Sequence, residues 1–524
     1  MTQSVQAIDF SRYLPPGVYT EAIPGPQLAV NSSLPTAVAL VGDSVGFRRY
    51  IESFTVDPDT SITTPAINRT LAQKGLDADT VIVVNADTGQ NYVVDTDYTI
   101  VRISVGPDAE VETRDDLYAI SRVIDGGHIE AGDHLQVSYQ YTDPTYYDPY
   151  IFYDYDDVRA AYGEPFNTIS GAVQSELTLG AKFAFLNGAF QIICVAVDAA
   201  IPGSPTPDEY GEALDKLVDQ ALVAIVVPCT GNQELHEKVR QHVTVQSANR
   251  FERRAIVAVD GTVVPVSTSQ RATDAQEITE QRVMMISPDK FSYYSPELNN
   301  AIELGGQFMA ATLAGQTVSR SFAQPLTHKV LTGWKGIGRQ QTEGEKNLET
   351  QNGLCVIEKT RRQLIRVRHG VTTDPADMLH REWSIIGQQD AMVYRIRDYL
   401  ENANLIGQPI YPFTLVNVKS SAEAGLQSLI RDGLLVDYTG LKVRQLLTNP
   451  DVIEVSYGWL PAFPLNYIVV RFGVSLTSGD VTIQGQTSNT ANFTSASSVT
   501  SSIGTPSSSS INDFGGASNT LRSV

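Results

Sequence analysis

Residues 222–261 read LVAIVVPCTGNQELHEKVRQHVTVQSANRFERRAIVAVDG. The opening run, LVAIVVP, is apolar without alternation, the pattern of a strand buried on both faces. From Gln233 to Arg250, Leu235, Val239, His242 and Gln246 recur at helical spacing, and RRAIVAVDG then reads as a second buried strand. A strand, a helix and a strand in this order predict a mainly parallel sheet covered by helices on both faces.

The same rhythm extends both ways. Upstream, TAVALVG (36–42) reads as a buried strand, YDDVRAAYG as a helix with acidic residues at its start and Gly163 at its end, and residues 209–220 as a helix with Tyr210, Leu214 and Leu217 on one face. Downstream come a helix near 275–281 and the strand RVMMIS. Past Arg320 an irregular link leads to LCVIEKTRRQLIRVRHG, a long helix over 378–401, a shorter one opened by a capping box at Ser420 and Glu423, and the strands DVIEVSYGW and NYIVVRFGVSL. In the last, Ile468, Val470, Phe472, Val474 and Leu476 share one face at period two.

About a hundred residues separate the strand at 36–42 from the next helical pattern. They contain TVIVVNA, NYVVDTDYTIVRISV, LYAISRVIDG and HLQVSYQYTD, broken by turn residues, which predicts an inserted antiparallel β domain. Residues 55–150 carry 17 acidic and 5 basic residues, so this module accounts for a net −12 of the chain's −21. Pro15, Pro16, Pro24, Pro26 and Pro35 oppose a helix near the N-terminus and predict an extended arm.

The expected fold class is therefore α/β (α+β) and multidomain: a mixed, largely parallel sheet core, a C-terminal α/β domain, an inserted antiparallel β domain and extended terminal arms. The expected boundaries are an arm over 1–30, a middle domain over 31–54 and 151–345, the insertion over 55–150, a C-terminal domain over 346–476 and an extension over 477–524, where Ser and Thr supply 21 of 48 residues.

Composition excludes several functions. A net charge of −21 argues against a general nucleic-acid binder, which needs clustered Lys and Arg. Cys194, Cys229 and Cys355 are too scattered for a disulfide framework or a metal motif and suit a reducing compartment. The N-terminus lacks the basic start and apolar run of a secretion signal, and no run of ~18 apolar residues occurs. No phosphate-cradling glycine motif follows a strand; Gly333–Gly338 is the nearest approach. His369, Asp374, Asp377 and His380 match no zinc spacing, and Asp374 and Asp377 more simply supply a turn and helix-start charge. No catalytic, cofactor or metal residue is assigned. One contrast stands out: 359–381 holds six basic and two acidic residues. Lys359, Arg361, Arg362, Arg366 and Arg368 form either a solvated strand face or an interface for an acidic surface of another subunit.

Read together, YLPPGVYTEAIPGPQ (13–27), LPTAVALVGDSVG (34–46), DYDDVRAAYGEP (154–165) and AKFAFLNGAFQIICVAV (181–197) resemble the N-terminal half of contractile bacteriophage tail sheath proteins. VIEKTRRQLIRVRHGVTTD (356–374), REWSIIGQQDAM (381–392), IGQPIYP (406–412) and VSYGWLPAFPLNYIVV (455–470) resemble that family's C-terminal domain. The resemblance implies a structural, non-enzymatic subunit that forms a helical homo-oligomer of stacked rings around a tail tube protein, between a baseplate and a tail terminator. It implies a place in the virion tail, with host cytoplasm as the site of assembly, no cofactor, no direct nucleic-acid contact and no membrane insertion. It also implies strand-donating arms. Val18, Tyr19, Glu21 and Ile23 fall in the first, and Ile468, Val470, Phe472, Val474 and Leu476 in the second, with VTIQG near Val481 as the alternative. Competing readings are the sheath of a phage-tail-like bacteriocin or contractile injection system, and an α/β enzyme.

Overall fold

The computed structural model describes residues 34–56, 69–104, 117–123, 126–141, 143, 145–200, 203–218, 220–261, 266–474 and 481–482. The N-terminal arm, with Val18, Tyr19, Glu21 and Ile23, lies outside them, as does Leu476. The chain divides into two units, Met1–Asn466 and Tyr467–Val524.

The first unit is organised by an eight-stranded sheet. Its order is Ile365–Val367, Leu354–Lys359, Val283–Ser287, Arg254–Ala258, Val223–Pro228, Ala37–Gly42, Ile192–Ala196 and Tyr150–Phe152. The five inner pairings are parallel, and the strand at each edge is antiparallel. Alternation along Ala37–Gly42 feeds two cores: Val38 and Leu40 join Phe183, Phe308 and Met309 on one face, while Ala37, Ala39 and Val41 join Leu214, Leu235 and Val239 on the other. Helices thus cover both faces, as an apolar strand with no wet side requires.

The helix Gly306–Val318 is buried from Phe308 to Thr317 and packs on the helix Glu176–Leu186. Backbones meet closely there, since a Cβ on Gly315 would sit 2.3 Å from the Ala184 carbonyl oxygen. A fully buried ion pair joins the helices Thr268–Ile278 and Glu343–Gln351: Arg271 and Glu349 lie 2.7 Å apart, both with no exposed side-chain surface, and Ser287 donates to the second Glu349 oxygen at 2.6 Å.

Two expected boundaries move. Leu354–Lys359 and Ile365–Val367 belong to the main sheet through the parallel pairing of Met285–Ser287 with Leu354–Val356, so a division at 345/346 would cut one sheet. The insertion also begins earlier, because Arg48–Thr55 pairs along its whole length with His134–Tyr141. With Leu76–Asn85 and Asn91–Tyr92 they form a four-stranded sheet, and Arg69–Thr70, Leu117–Arg122 and Tyr98–Ser104 form a second of three strands. Val83, Tyr98, Ile120, Leu135, Val137 and Tyr139 fill the space between.

The long helix expected over 378–401 is two helices, Met378–Arg381 and Trp383–Asn402, broken at Glu382, whose backbone is extended at φ −84° and ψ 111°. Asp377 caps the first, accepting from the backbone N–H of Leu379 and His380. The next helix runs from Pro412 to Arg431, so Ser420 and Glu423 are mid-helix and make no capping box. Pro412 supplies the pre-set φ of a first helical residue, and the Thr414 hydroxyl oxygen accepts from Tyr411 N–H at 3.1 Å. Leu426 and Leu429 of this helix, Met392 and Ile396 of Trp383–Asn402, and Leu34, Leu434 and Leu435 form a separate small core.

Candidate functional site

Against that small core leans a hairpin, Asp437–Gln445 with Ile453–Leu460. Tyr438, Leu441, Tyr457 and Trp459 pack onto the core side. Thr439, Lys442, Arg444 and Ser456 are exposed, and Arg444 donates to Glu454 across the pair at 2.5 Å. The two strands pair only with each other among the described residues, so each has one open edge. A two-stranded sheet is marginal alone, and its open edges present unpaired N–H and C=O groups to any strand that can reach them.

The segment after this hairpin is held at its root. Gln388 mimics a backbone partner for Ala462: its Oε1 accepts from the Ala462 N–H at 2.7 Å and its Nε2 donates to the Ala462 carbonyl at 3.1 Å. Glu382, 1% exposed, accepts from Asn466 Nδ2 at 3.1 Å and lies 3.0 Å from His369 Nε2. Beyond Asn466 the second unit begins.

In that second unit, Tyr467, Ile468, Val469, Val470 and Phe472 are 69–77% exposed. Among the described residues of the strand expected over 466–476, only Gly473–Val474 is a strand, and it pairs with Val481–Thr482 in a register that sets the backbone of residue 474 opposite that of 481. Asn466–Phe472 makes no strand pairing among the described residues. Both segments weighed as the second arm therefore meet in one small hairpin.

The basic residues separate into two groups. Arg366 and Arg368 converge on Glu358: Arg366 donates at 2.9 and 2.7 Å to one oxygen, and Arg368 at 3.0 Å to the other and at 2.9 Å to Glu343. Burial opposes ionisation of Glu358, but the hydrogen bonds from Arg366 and Arg368 outweigh it and hold its carboxyl below the ordinary value. These two arginines are neutralised within the chain. Lys359, Arg361 and Arg362 are exposed around the turn between the strands and have no ion pair among the described residues, so only they remain as surface charge.

In an open α/β sheet a ligand crevice is expected at the strands' carboxyl ends where the order reverses, here beside Gly42. The chain fills that place itself. Glu176, at the start of Glu176–Leu186, accepts from the Asp43 N–H at 2.9 Å and from the Tyr210 hydroxyl at 2.6 Å. A Cβ on Gly42 would lie 2.8 Å from Cys229 and 3.2 Å from Glu176. Burial raises the Glu176 carboxyl to about 7; the two hydrogen bonds oppose the rise and the Asp43 charge adds to it. Burial likewise raises the Cys194 and Cys229 thiols and pushes Cys355 up to about 12, so all three are held as thiols rather than nucleophilic thiolates. Gly333–Gly338 is no phosphate loop: Trp334–Ile337 is a strand paired with Phe291–Tyr293. His380 lies 3.2 Å from Asp374, and His369 is committed to Glu382.

Comparison with known proteins fits this geometry. No protein-family model matches the chain. The tail sheath protein of Mycobacterium phage Bxz1 is 45% identical over 581 aligned positions, covering 92% of this chain and all of that one. The tail sheath protein of Bacillus phage SP01 is 26% identical over 271 positions, 51% of this chain and 45% of its own. The helical sheath of the anti-feeding prophage in its contracted state shares the fold, with a TM-score of 0.50 at 14% identity over 63% of this chain and 89% of that one. The chain belongs to the tail sheath protein family and is a structural protein of a tail sheath.

Proposed function

We propose that copies of this chain polymerise as a helix of stacked rings around a tail tube protein, bounded by a baseplate and a tail terminator, and contract to drive the tube through the host envelope. The virion tail is its working location and the host cytoplasm its place of assembly. It acts without catalysis, without a cofactor, and without touching nucleic acid or inserting into a membrane.

One observation carries this reading: a hairpin with two open edges stands in the same chain as a segment that joins no sheet among the described residues and exposes the side chains of Tyr467, Ile468, Val469, Val470 and Phe472. Each is what the other lacks. A strand donated by a neighbour extends the sheet by β-augmentation, with main-chain hydrogen bonds worth roughly 0.5 to 1.5 kcal/mol each. Ile468, Val470 and Phe472 would align with the helix-backed face of the acceptor. The N-terminal arm through Val18, Tyr19, Glu21 and Ile23 takes the other edge. Lys359, Arg361 and Arg362 meet a carboxylate surface of an adjoining copy, where complementary charge fixes register.

Such links hold while rigid bodies rotate, so contraction draws on stored assembly energy and not on nucleotide. Electron microscopy of the purified protein tests the reading. Hollow tubes from the full chain, and soluble monomers after deletion of residues 1–26 or 467–524, are expected; undiminished tubes from both deletions would refute it. Purified tails should contract in nucleotide-depleted buffer.

A further inference from the structure

A segment that directly follows a hairpin has a place to go within its own chain. Consecutive strands pair in roughly two-thirds of cases, and hairpin connections take about 2–5 residues. The edge of Ile453–Leu460 away from Asp437–Gln445 is open among the described residues, and the segment that follows suits it. Ile468, Val470 and Phe472 alternate with Tyr467, Val469 and Arg471, so as a strand it would have one wholly apolar face and one mixed face. Set antiparallel beside Ile453–Leu460, the apolar face could join Tyr457 and Trp459 on the helix-backed side, leaving Arg471 on the side of Glu454 and Ser456. Being tethered, the segment competes for that edge at a local concentration on the order of millimolar, far above that of a segment supplied by a second free copy. Yet among the described residues it pairs with neither strand of the hairpin.

The reason lies in 461–466, the residues that would have to turn back. They run along the helix Trp383–Asn402 instead. Gln388, 1% exposed on that helix, takes both backbone groups of Ala462, the N–H at 2.7 Å and the carbonyl at 3.1 Å, and these groups are then lost to a ladder. Glu382, at the helix start, accepts from Asn466 Nδ2 at 3.1 Å. Positions 382 and 388 are about 9 Å apart along the helix axis, so the chain from 462 to 466 is drawn out toward the helix start. A tight turn would instead bring Cα atoms three residues apart within about 7 Å. Pro461 and Pro464, both buried, have no N–H with which to begin a strand pairing.

We propose that Gln388 and Glu382 are positioning residues for assembly: by pinning 461–466 to the helix they stop the chain's own C-terminal segment from capping Ile453–Leu460, and so keep that edge free for the segment of a neighbouring copy. This rests on the strand-donation reading above and names what directs the donation outward. Without the clamp the hairpin gains a third strand from its own chain, and the subunit becomes a closed monomer.

The test compares monomers of the full-length protein, kept below the concentration at which tubes form, by amide hydrogen exchange. Glu382 also holds His369, so Asn466 is the residue to change at that contact. In the Gln388→Ala, Asn466→Ala double variant the outward-facing amides of 453–460 should exchange about tenfold or more slowly than in the native monomer, and tubes should need about tenfold or more protein to form. A merely structural loss at 388 would loosen the hairpin and speed exchange, the opposite sign. Deleting 467–524 from the double variant should restore fast exchange. Asn466→Ala alone alters a half-buried side chain and should slow exchange by a smaller factor, a readout that survives if loss of the buried Gln388 unfolds the hairpin. Unchanged or faster exchange in both variants overturns the proposal, and so does protection that persists after the deletion. Tubes from the native chain lacking 467–524 would refute strand donation itself, a result separate from the monomer comparison.

Discussion

Ala37–Gly42 is buried at all six positions, whereas neither strand of the hairpin at 437–460 has a single fully buried residue. The large sheet is finished within the chain. Helices cover both faces, antiparallel strands of only three residues form the two edges, and even its ligand crevice is filled by Glu176. The hairpin has one covered face and two open edges. On the proposed reading the difference separates two roles: residues that decide whether the subunit folds lie around the sheet, and residues that decide whether subunits join lie at the hairpin and in 467–472. Mutations should sort accordingly.

The largest effect on the isolated subunit is expected from Glu349→Ala. It would leave Arg271 charged and fully buried without its partner, at a cost of about 3–5 kcal/mol, measurable by denaturant unfolding. Gly315→Ala should follow at about 1–3 kcal/mol, because the new methyl collides with the Ala184 carbonyl and two packed helices must separate. A smaller, pH-dependent term comes from Glu176. Its carboxyl is raised to about 7 from an ordinary 4.5, so its favourable contribution is complete below about pH 4.5 and is lost as pH rises through 7. The melting temperature of Glu176→Gln relative to the native chain should therefore increase from pH 5 to pH 8. A flat difference would mean that burial does not raise this carboxyl. The smallest effect is that of Ile468→Lys, within about 0.5 kcal/mol because the side chain is already exposed, yet polymerisation should fail. A large loss of stability from Ile468→Lys would break the division between folding and joining residues.

The sequence made the parallel core legible because strands wet on neither face appear as uninterrupted apolar runs. Arg48–Thr55 escaped because its signal is inverted: Ile51 points outward, while Glu52 points inward and accepts from the Tyr139 hydroxyl at 2.7 Å and the Ala72 N–H at 3.0 Å. Membership of Leu354–Lys359 in the main sheet depends on a pairing across about seventy residues, which local pattern cannot show. For the basic cluster the charge was visible but its neutralisation was not. Glu358 lies directly opposite Arg366 in the hairpin register, and that pairing turns two of the five candidates inward. The Gln388 clamp had no signal at all, since a glutamine imitating a backbone strand looks like any other glutamine on a helix.

Amide hydrogen exchange of 437–445 and 453–460, compared between monomer and polymerised tube, tests the central claim most directly. Slow exchange at the outward-facing amides of both strands after assembly is the predicted result. Tubes that form while those amides exchange as quickly as in the monomer would contradict it.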